Sequence, residues 1–232
     1  LTFKANDGEA DSETKTVTIK VVKGYLSTAT QIGADINGEL AGDQSGYSVS
    51  FNEDATIMAI GARKNEGNGT NSGHVRIYKY NGSSWTQLGA DIKGEAVNDY
   101  SGNSVSLSSD GKTVAIGASV NDGNGNNSGH VRIYNYNGTV WIKLGKDIDG
   151  EAVDDQFGQS VSLSSDGKIV AIGAKTNDGN GTNSGHVRIY SYIGVYTGWT
   201  QLGSDIDGEA ASDQSGYSVS LSSDGKTVAI GA

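Results

Sequence analysis

The sequence contains no proline and no cysteine, and it has only one methionine and three phenylalanines in 232 residues. Without cysteine, the chain can form neither a disulfide framework nor a cysteine-ligated zinc or iron–sulfur site. Its glycines follow no three-residue period, which excludes collagen. No apolar run approaches the roughly 18 residues that a membrane-spanning helix needs, so we expect no membrane span in this chain.

Basic residues are also scarce. Lysine and arginine total 17 against 27 aspartates and glutamates, which gives a net charge of −10. Contacts to phosphate need clustered basic side chains, and the sequence has no such cluster. We therefore expect no nucleic-acid partner. Glycine, by contrast, is abundant, with 35 residues.

The glycines belong to an internal repeat. The segment SGHVRIY occurs at 72–78, 128–134 and 184–190, so it returns every 56 residues. VAIGA occurs at 114–118, 170–174 and 228–232, and MAIGA at 58–62 is an altered copy. Periods of about 20–50 residues indicate solenoids or propellers, and this period is close to that of the larger propeller blades.

Each unit is predicted to form four short strands. In one unit these are 103–108, 113–118, 130–136 and 140–148, with an Asn137-Gly138 hairpin turn before the last. Serine, alanine and glycine on one side of the first two strands leave room for apolar side chains of a neighbouring copy. No segment has a helical apolar period. Radial stacking of such sheets is a β-propeller, so we predict an all-β propeller of four-stranded blades.

The repeat also divides the chain. Residues 1–23 have no counterpart in it and resemble the C-terminal hairpin of an immunoglobulin-like or cadherin-like domain. Residues 24–232 are predicted to form part of a propeller, an incomplete ring of three to four blades. Its units are expected at about 31–86, 87–142, 143–200 and 201–232. We expect both ends of the chain to be cuts in a longer protein that carries the remaining blades.

The repeat unit resembles the FG-GAP repeat of integrin α-chain-type propellers. Phe157-Gly158-Gln159-Ser160-Val161 with Gly173-Ala174 matches that pattern best. The other copies carry Ser-Gly in place of Phe-Gly, and no copy has the proline of Gly-Ala-Pro. The resemblance covers residues 25–232. A likeness to WD-type repeats implies a propeller as well.

The resemblance also implies a calcium loop between the first two strands of each blade. That place holds only a tight turn with one aspartate, namely Asp110, Asp166 or Asp224. Calcium prefers six to eight oxygen ligands, so the calcium role is not carried over to these turns.

The loop between the second and third strands is a separate calcium candidate. It places oxygen side chains at alternate positions, as the opening of an EF-hand loop does, but it lacks the closing glutamate. Asp, Asn and Gly are also ordinary turn formers, which is the alternative. Calcium is the one cofactor that the sequence suggests, and its candidate ligands are Glu66, Asn68, Thr70, Asp122, Asn124, Asn126, Asp178, Asn180 and Thr182.

The links between units repeat the pattern Glu-x-x-x-Asp. In a propeller these links emerge on the same face as the loops just described, so the sequence predicts an acidic ligand-binding face. The alternative is that the aspartate caps the turn before each inner strand and the glutamate is solvated. Repetition in every copy argues against a catalytic pair. The residues are Glu39, Asp43, Glu95, Asp99, Glu151, Asp155, Glu209 and Asp213.

Histidine and tryptophan each occur once per unit. The histidines are His74, His130 and His186. They are expected in different sheets, so they should not converge on one metal, and we interpret them as structural. The tryptophans Trp85, Trp141 and Trp199 are interpreted as inter-blade packing rather than sugar-stacking platforms.

These patterns favour a non-enzymatic binding or adhesion scaffold outside the cell, with a protein or carbohydrate ligand at the cell surface. Two alternatives stay open: a propeller domain of a secreted polysaccharide-active enzyme, and an intracellular WD-like interaction scaffold. A single, non-repeating cluster of His, Arg, Tyr and Glu at the ring centre would favour the enzyme. Fold alone does not decide among them.

Overall fold

The computed structural model describes residues 31–232 and two short strands near the N-terminus, β1 (Thr2–Phe3) and β2 (Lys15–Thr16). These two strands pair antiparallel, with Thr2 opposite Thr16. They belong to a unit of residues 1–33, which is described apart from the unit of residues 34–232. The rest of the hairpin predicted over 1–23, and the predicted boundary after it, lie outside the described residues.

Three complete blades and the first half of a fourth make up residues 34–232. The first blade contains β3 (Ser45–Phe51), β4 (Ile57–Ala62), β5 (His74–Tyr80), β6 (Trp85–Gln87) and β7 (Ile92–Lys93). The second contains β8 (Ser104–Leu107), β9 (Thr113–Ala118), β10 (His130–Tyr136), β11 (Trp141–Lys143) and β12 (Ile148–Asp149). The third contains β13 (Phe157–Leu163), β14 (Ile169–Ala174), β15 (His186–Tyr192), β16 (Trp199–Gln201) and β17 (Ile206–Asp207). The fourth contains β18 (Ser218–Leu221) and β19 (Val228–Gly231).

The outer strand of each complete blade is broken, which corrects the continuous strand predicted over 140–148. β11 pairs with the end of β10, whereas β12 pairs with its beginning, where Val131 lies opposite Ile148. Between them Gly145 has a φ of +84°, a left-handed conformation that departs from regular strand geometry. The break turns the chain at Asp147 and brings that residue toward the start of β10.

Neighbouring blades touch through small residues of their first two strands. A methyl group added to Gly117 on β9 would lie 2.1 Å from the carbonyl oxygen of Gly158 in the next blade. Beside it, the Ser104 hydroxyl donates a hydrogen bond of 2.8 Å to the same carbonyl. The other two junctions repeat both features. Glycine at this position therefore allows two backbones to approach as closely as the ring requires.

The hydrophobic core lies between blades rather than within one. Val75 and Ile77 of the first blade pack with Val105 and Ile116 of the second. A second cluster joins the second and third blades in the same way and includes the buried Phe157. Burial between copies is what a single sheet cannot achieve alone. The structure is thus an all-β, incomplete β-propeller, and the described residues contain no helix that could cross a membrane.

Candidate functional site

One face of the propeller carries both the links and the loops between second and third strands. The amide of Ser101 in a link donates to the carbonyl of Ser72 in the preceding loop at 3.0 Å. The Gly94 amide donates to the Gly73 carbonyl at 2.8 Å. Equivalent bonds occur at the next two junctions. We call this surface the link face; the lysines of the tight turns, such as Lys112, lie at the opposite ends of the strands.

The link aspartates are part of the turn. Asp99 is 2% exposed, and its Oδ2 accepts hydrogen bonds from the amides of Glu95 and Ala96 at 3.1 and 2.7 Å. The corresponding aspartates accept from the amides of their own links; they are Asp43, Asp155 and Asp213. This geometry matches the capping alternative. Of the predicted Glu-x-x-x-Asp residues, the exposed ones are the glutamates Glu39, Glu95, Glu151 and Glu209.

The loops with the calcium-like spacing are closed by hydrogen bonds within the protein. The Asn124 side-chain amide donates to the Gly150 carbonyl in the following link at 2.7 Å. Asn68 and Asn180 make the same contact in their blades. Asp122 Oδ1 accepts from the Asn127 amide at 2.8 Å. The polar side chains therefore have a structural role there, and calcium binding stays a prediction. The remaining candidates lie in these same loops: Glu66, Thr70, Asn126, Asp178 and Thr182.

Each complete blade brings its histidine beside two carboxylates. The histidine begins the third strand, the glutamate comes from the link, and the aspartate follows the break in the outer strand. In each group, one ligand atom from each residue lies within 4.8 Å of the others. The three groups are Glu39–His74–Asp91, Glu95–His130–Asp147 and Glu151–His186–Asp205.

The sequence predicts separate roles for the histidines and the glutamates and does not single out the aspartates of the outer strands. Asp147 lay inside what was predicted as a regular strand, so its turn toward His130 was hidden. A fixed spacing could have revealed the groups: 35 residues separate the glutamate from the histidine in every unit. The aspartate then follows 17 residues later, or 19 in the third unit, which carries two extra residues.

The histidines are buried and neutral. His74 and His186 are each 1% exposed, and neither nitrogen of either ring has a hydrogen-bond partner among the described residues. Burial lowers the pKa of both. Burial, and then the charge of Arg132, lowers the pKa of His130 to about 4. Near neutral pH, each group therefore presents an uncharged imidazole to its carboxylates.

The three groups differ in the cations that face them. In the third blade, the Arg188 guanidinium binds both Glu151 and Asp205, which holds the pKa of Asp205 below its ordinary value. In the second blade, Arg132 lies 3.2 Å from Glu95, and Lys143 lies 2.8 Å from Asp147. These two groups are therefore compensated by cationic side chains.

The first blade lacks this compensation. Glu39 accepts a hydrogen bond from Asn65, and Asp91 accepts one from Gln87, so both donors are neutral amides. Arg76 donates to the Asn37 carbonyl at 2.7 Å, as Arg132 does to the equivalent Lys93 carbonyl at 2.8 Å, but Arg76 does not also pair with its link glutamate. Among residues 31–232, no lysine or arginine forms an ion pair with either carboxylate.

A cavity of about 400 Å³ opens where the inner strands begin, at the centre of the link face. Arg63 lies over the Tyr47 ring at 3.5 Å from its centroid, and Lys175 lies 5.4 Å from the Tyr217 centroid. Tyr100 also lines the cavity. The link face is therefore basic and aromatic at its centre and acidic farther out, whereas the sequence predicted acidity alone. Arg63 and Lys175 immediately follow the Gly-Ala end of a second strand, which was the overlooked signal.

The blade architecture and its 56-residue repeat define a β-propeller built from one recurring unit. The FG-GAP repeat family matches residues 37–78, 93–134 and 148–190, which is more than half of the sequence. The chain belongs to the FG-GAP repeat family.

One similar solved structure is the hydrazine synthase of Kuenenia stuttgartiensis, with a TM-score of 0.51 and 14% identity. The match covers 88% of this chain and 44% of that one, so this chain spans less than half the length of that protein. At this identity the likeness shows the fold alone. Among curated proteins, none is similar enough to count as a match.

Proposed function

We propose that this propeller is a non-enzymatic scaffold that works outside the cell and binds its ligand on the link face. The observation that supports this proposal most strongly is the central cavity. In it, Arg63 and Lys175 lie beside the exposed rings of Tyr47 and Tyr217. We propose that the ligand is a carbohydrate or protein that presents carboxylate or sulfate groups. Membership in the FG-GAP family, whose repeats are typical of extracellular proteins, supports the location.

The cavity has the features of a recognition site. Arg63 donates to Gln44 through Nε at 2.8 Å and to Asn103 at 3.3 Å, while it stacks on Tyr47. These contacts fix the plane of the guanidinium, and an arginine has five N–H donors in total, so donors remain for an anion. The tyrosines are about half exposed, 48% for Tyr47 and 56% for Tyr217, and they offer flat surfaces for a sugar ring or an apolar side chain.

The same cavity supports a binding role over catalysis. Within residues 31–232, its lining contains no histidine, aspartate or glutamate, so these residues offer no acid–base pair of the kind that glycoside hydrolysis uses. The titratable groups that do meet among the described residues recur in every complete blade. A feature that recurs in every blade has a structural role in the repeat, whereas we expect a catalytic centre to occur only once.

Binding can be measured with immobilised polygalacturonate, dextran sulfate and poly-glutamate, with neutral dextran as the reference surface. We expect at least one anionic polymer to bind and the affinity to fall as salt is raised. Arg63→Ala combined with Lys175→Ala should weaken binding by about tenfold or more, since each removes a charged contact. The matched control is Lys112→Ala with Lys226→Ala on the opposite face, which should change the affinity less than about twofold. Equal losses in both variants, or binding to none of the polymers, would refute the proposal.

A further inference from the structure

We infer that the first blade binds one divalent transition-metal ion, with zinc as the representative, through Glu39, His74 and Asp91. This site is distinct from the central cavity and does not depend on the proposed ligand. It uses the three side chains that the fold brings together at the outer part of the link face. The inference stands on the geometry of the group, on the burial of the histidine and on a comparison among the blades.

The geometry is close to that of a metal site. His74 Nδ1 lies 3.8 Å from Glu39 Oε2 and 4.0 Å from Asp91 Oδ2. Zinc binds imidazole nitrogen and carboxylate oxygen at about 2.0–2.2 Å, and in a tetrahedral site this places ligand atoms about 3.4 Å apart. The two distances from His74 Nδ1 to the carboxylates therefore need to shorten by about half an ångström. Glu39 is 45% exposed and Asp91 is 22% exposed, so both side chains have the freedom to move.

The histidine supplies an independent sign of a ligand. A buried imidazole that makes no hydrogen bond has lost its contacts with water without replacement, and buried polar groups in folded proteins are normally paired. His74 is 1% exposed, and both its nitrogens are without a partner among the described residues. Its Nδ1 faces the two carboxylates. A metal ion between them would give that nitrogen the partner it lacks.

The comparison among blades selects the first one. The third group contains the Arg188 guanidinium on both carboxylates, and the second contains Arg132 and Lys143. At the position of Lys143, the first blade has the neutral Gln87. Glu39 and Asp91 thus stand together with only neutral donors among the described residues. A bound metal cation would balance the charge of the two carboxylates in this blade, as arginine and lysine side chains do in the other two blades.

The donor set also indicates the class of metal. Calcium and magnesium prefer oxygen ligands, whereas imidazole suits zinc and neighbouring transition metals. Three protein ligands leave a fourth tetrahedral position, and the exposed side of Glu39 gives water access to it. We therefore expect zinc or cobalt(II) to bind in the presence of millimolar calcium.

The test is a zinc titration of the tag-free, chelator-treated protein by calorimetry, with calcium present in excess. We expect one zinc per chain. Glu39→Gln and Asp91→Asn should each weaken binding by about tenfold or more, because each removes one charged ligand. The matched controls are Glu151→Gln and Asp205→Asn in the third blade, which should change zinc affinity less than about twofold.

A second readout does not depend on any variant. Zinc should shift the imidazole ¹⁵N resonances of His74 in the unaltered protein and leave those of His130 and His186 in place. A protein that binds no zinc below about 100 μM would overturn the inference, because three charged or imidazole ligands should bind more tightly than that. Three equivalents of zinc, or equal losses in the first-blade and third-blade variants, would overturn the choice of this blade.

Discussion

The indole Nε1 of Trp199 donates a 2.8 Å hydrogen bond to the carbonyl oxygen of Leu144 across the junction between the second and third blades. Trp141 makes the same bond to Leu88 at the preceding junction. The carbonyl belongs to the residue just before the glycine that breaks the outer strand. Each tryptophan therefore fastens one blade to the irregular edge of the previous one.

Removal of this contact should loosen the ring by a measurable amount. Trp199→Phe loses the hydrogen bond and keeps most of the packing, so we expect a loss of about 1 kcal/mol in the free energy of unfolding. Trp199→Ala also leaves a cavity and should cost about 3 kcal/mol or more. Urea unfolding followed by circular dichroism measures both. Thr200→Ala on the exposed neighbour is the control, with an expected change below about 0.5 kcal/mol.

Gly117→Ala tests the close approach between blades. The added methyl would lie 2.1 Å from the Gly158 carbonyl oxygen and 2.3 Å from the Ser104 hydroxyl, so the two blades would have to separate. We expect a loss of more than about 3 kcal/mol in the free energy of unfolding. Gly138→Ala is a useful comparison because nothing lies within 4 Å of its added methyl and only its φ of +101° opposes the change. That variant should cost about 1–2 kcal/mol, and a similar cost for both would contradict the packing argument.

The fold could be predicted from the sequence because several independent features of each unit indicate the same arrangement of strands. The Asn137-Gly138 turn, the serine and glycine faces and the 56-residue period all point to the same four-stranded unit. The broken outer strand was not predicted, because the apolar residues Val140, Ile142, Leu144 and Ile148 share one face, and Lys146 and Gly145 alone signalled the break. That error concealed Asp147 and its counterparts.

The candidate sites were harder to predict than the fold for a physical reason. A Glu–His–Asp group joins three segments of a blade that meet only when the outer strand bends back onto the third strand. The cation in each group then depends on which direction an arginine side chain takes. Arg76 and Arg132 both donate to the equivalent link carbonyl, yet only Arg132 and Arg188 also pair with a link glutamate. Periodicity gives no information about such differences.

Acid should destabilise the protein through its buried histidines. The pKa of His130 is about 4 in the folded chain against 6.5 for a free histidine, with Arg132, Lys143, Asp147 and Glu95 as its charged neighbours. The unfolded chain takes up the proton first, so this contribution is complete above pH 6.5 and is lost as the pH falls toward 4. The difference amounts to about 3 kcal/mol for this residue.

The measurement is urea unfolding at pH 7 and pH 4.5 with a chelator present. We expect His130→Asn to lose less stability between these two conditions than the unaltered protein loses. The carboxylates titrate in both proteins, so their effect on stability cancels when the two losses are compared. Parallel losses would show that His130 gains its proton equally easily in the folded and unfolded chains.

Calcium should have little effect on the loops that first suggested it. Each loop offers one carboxylate, and Asn124 already holds its loop to the link through the Gly150 carbonyl at 2.7 Å. We therefore expect millimolar calcium to raise the melting temperature by less than about 3 °C, since weak binding stabilises only slightly. Asn124→Ala should lower stability by about 1 kcal/mol with or without calcium, because it removes a hydrogen bond of the loop. A chelator-reversible rise above about 5 °C that Asn124→Ala abolished would instead assign these loops to calcium binding.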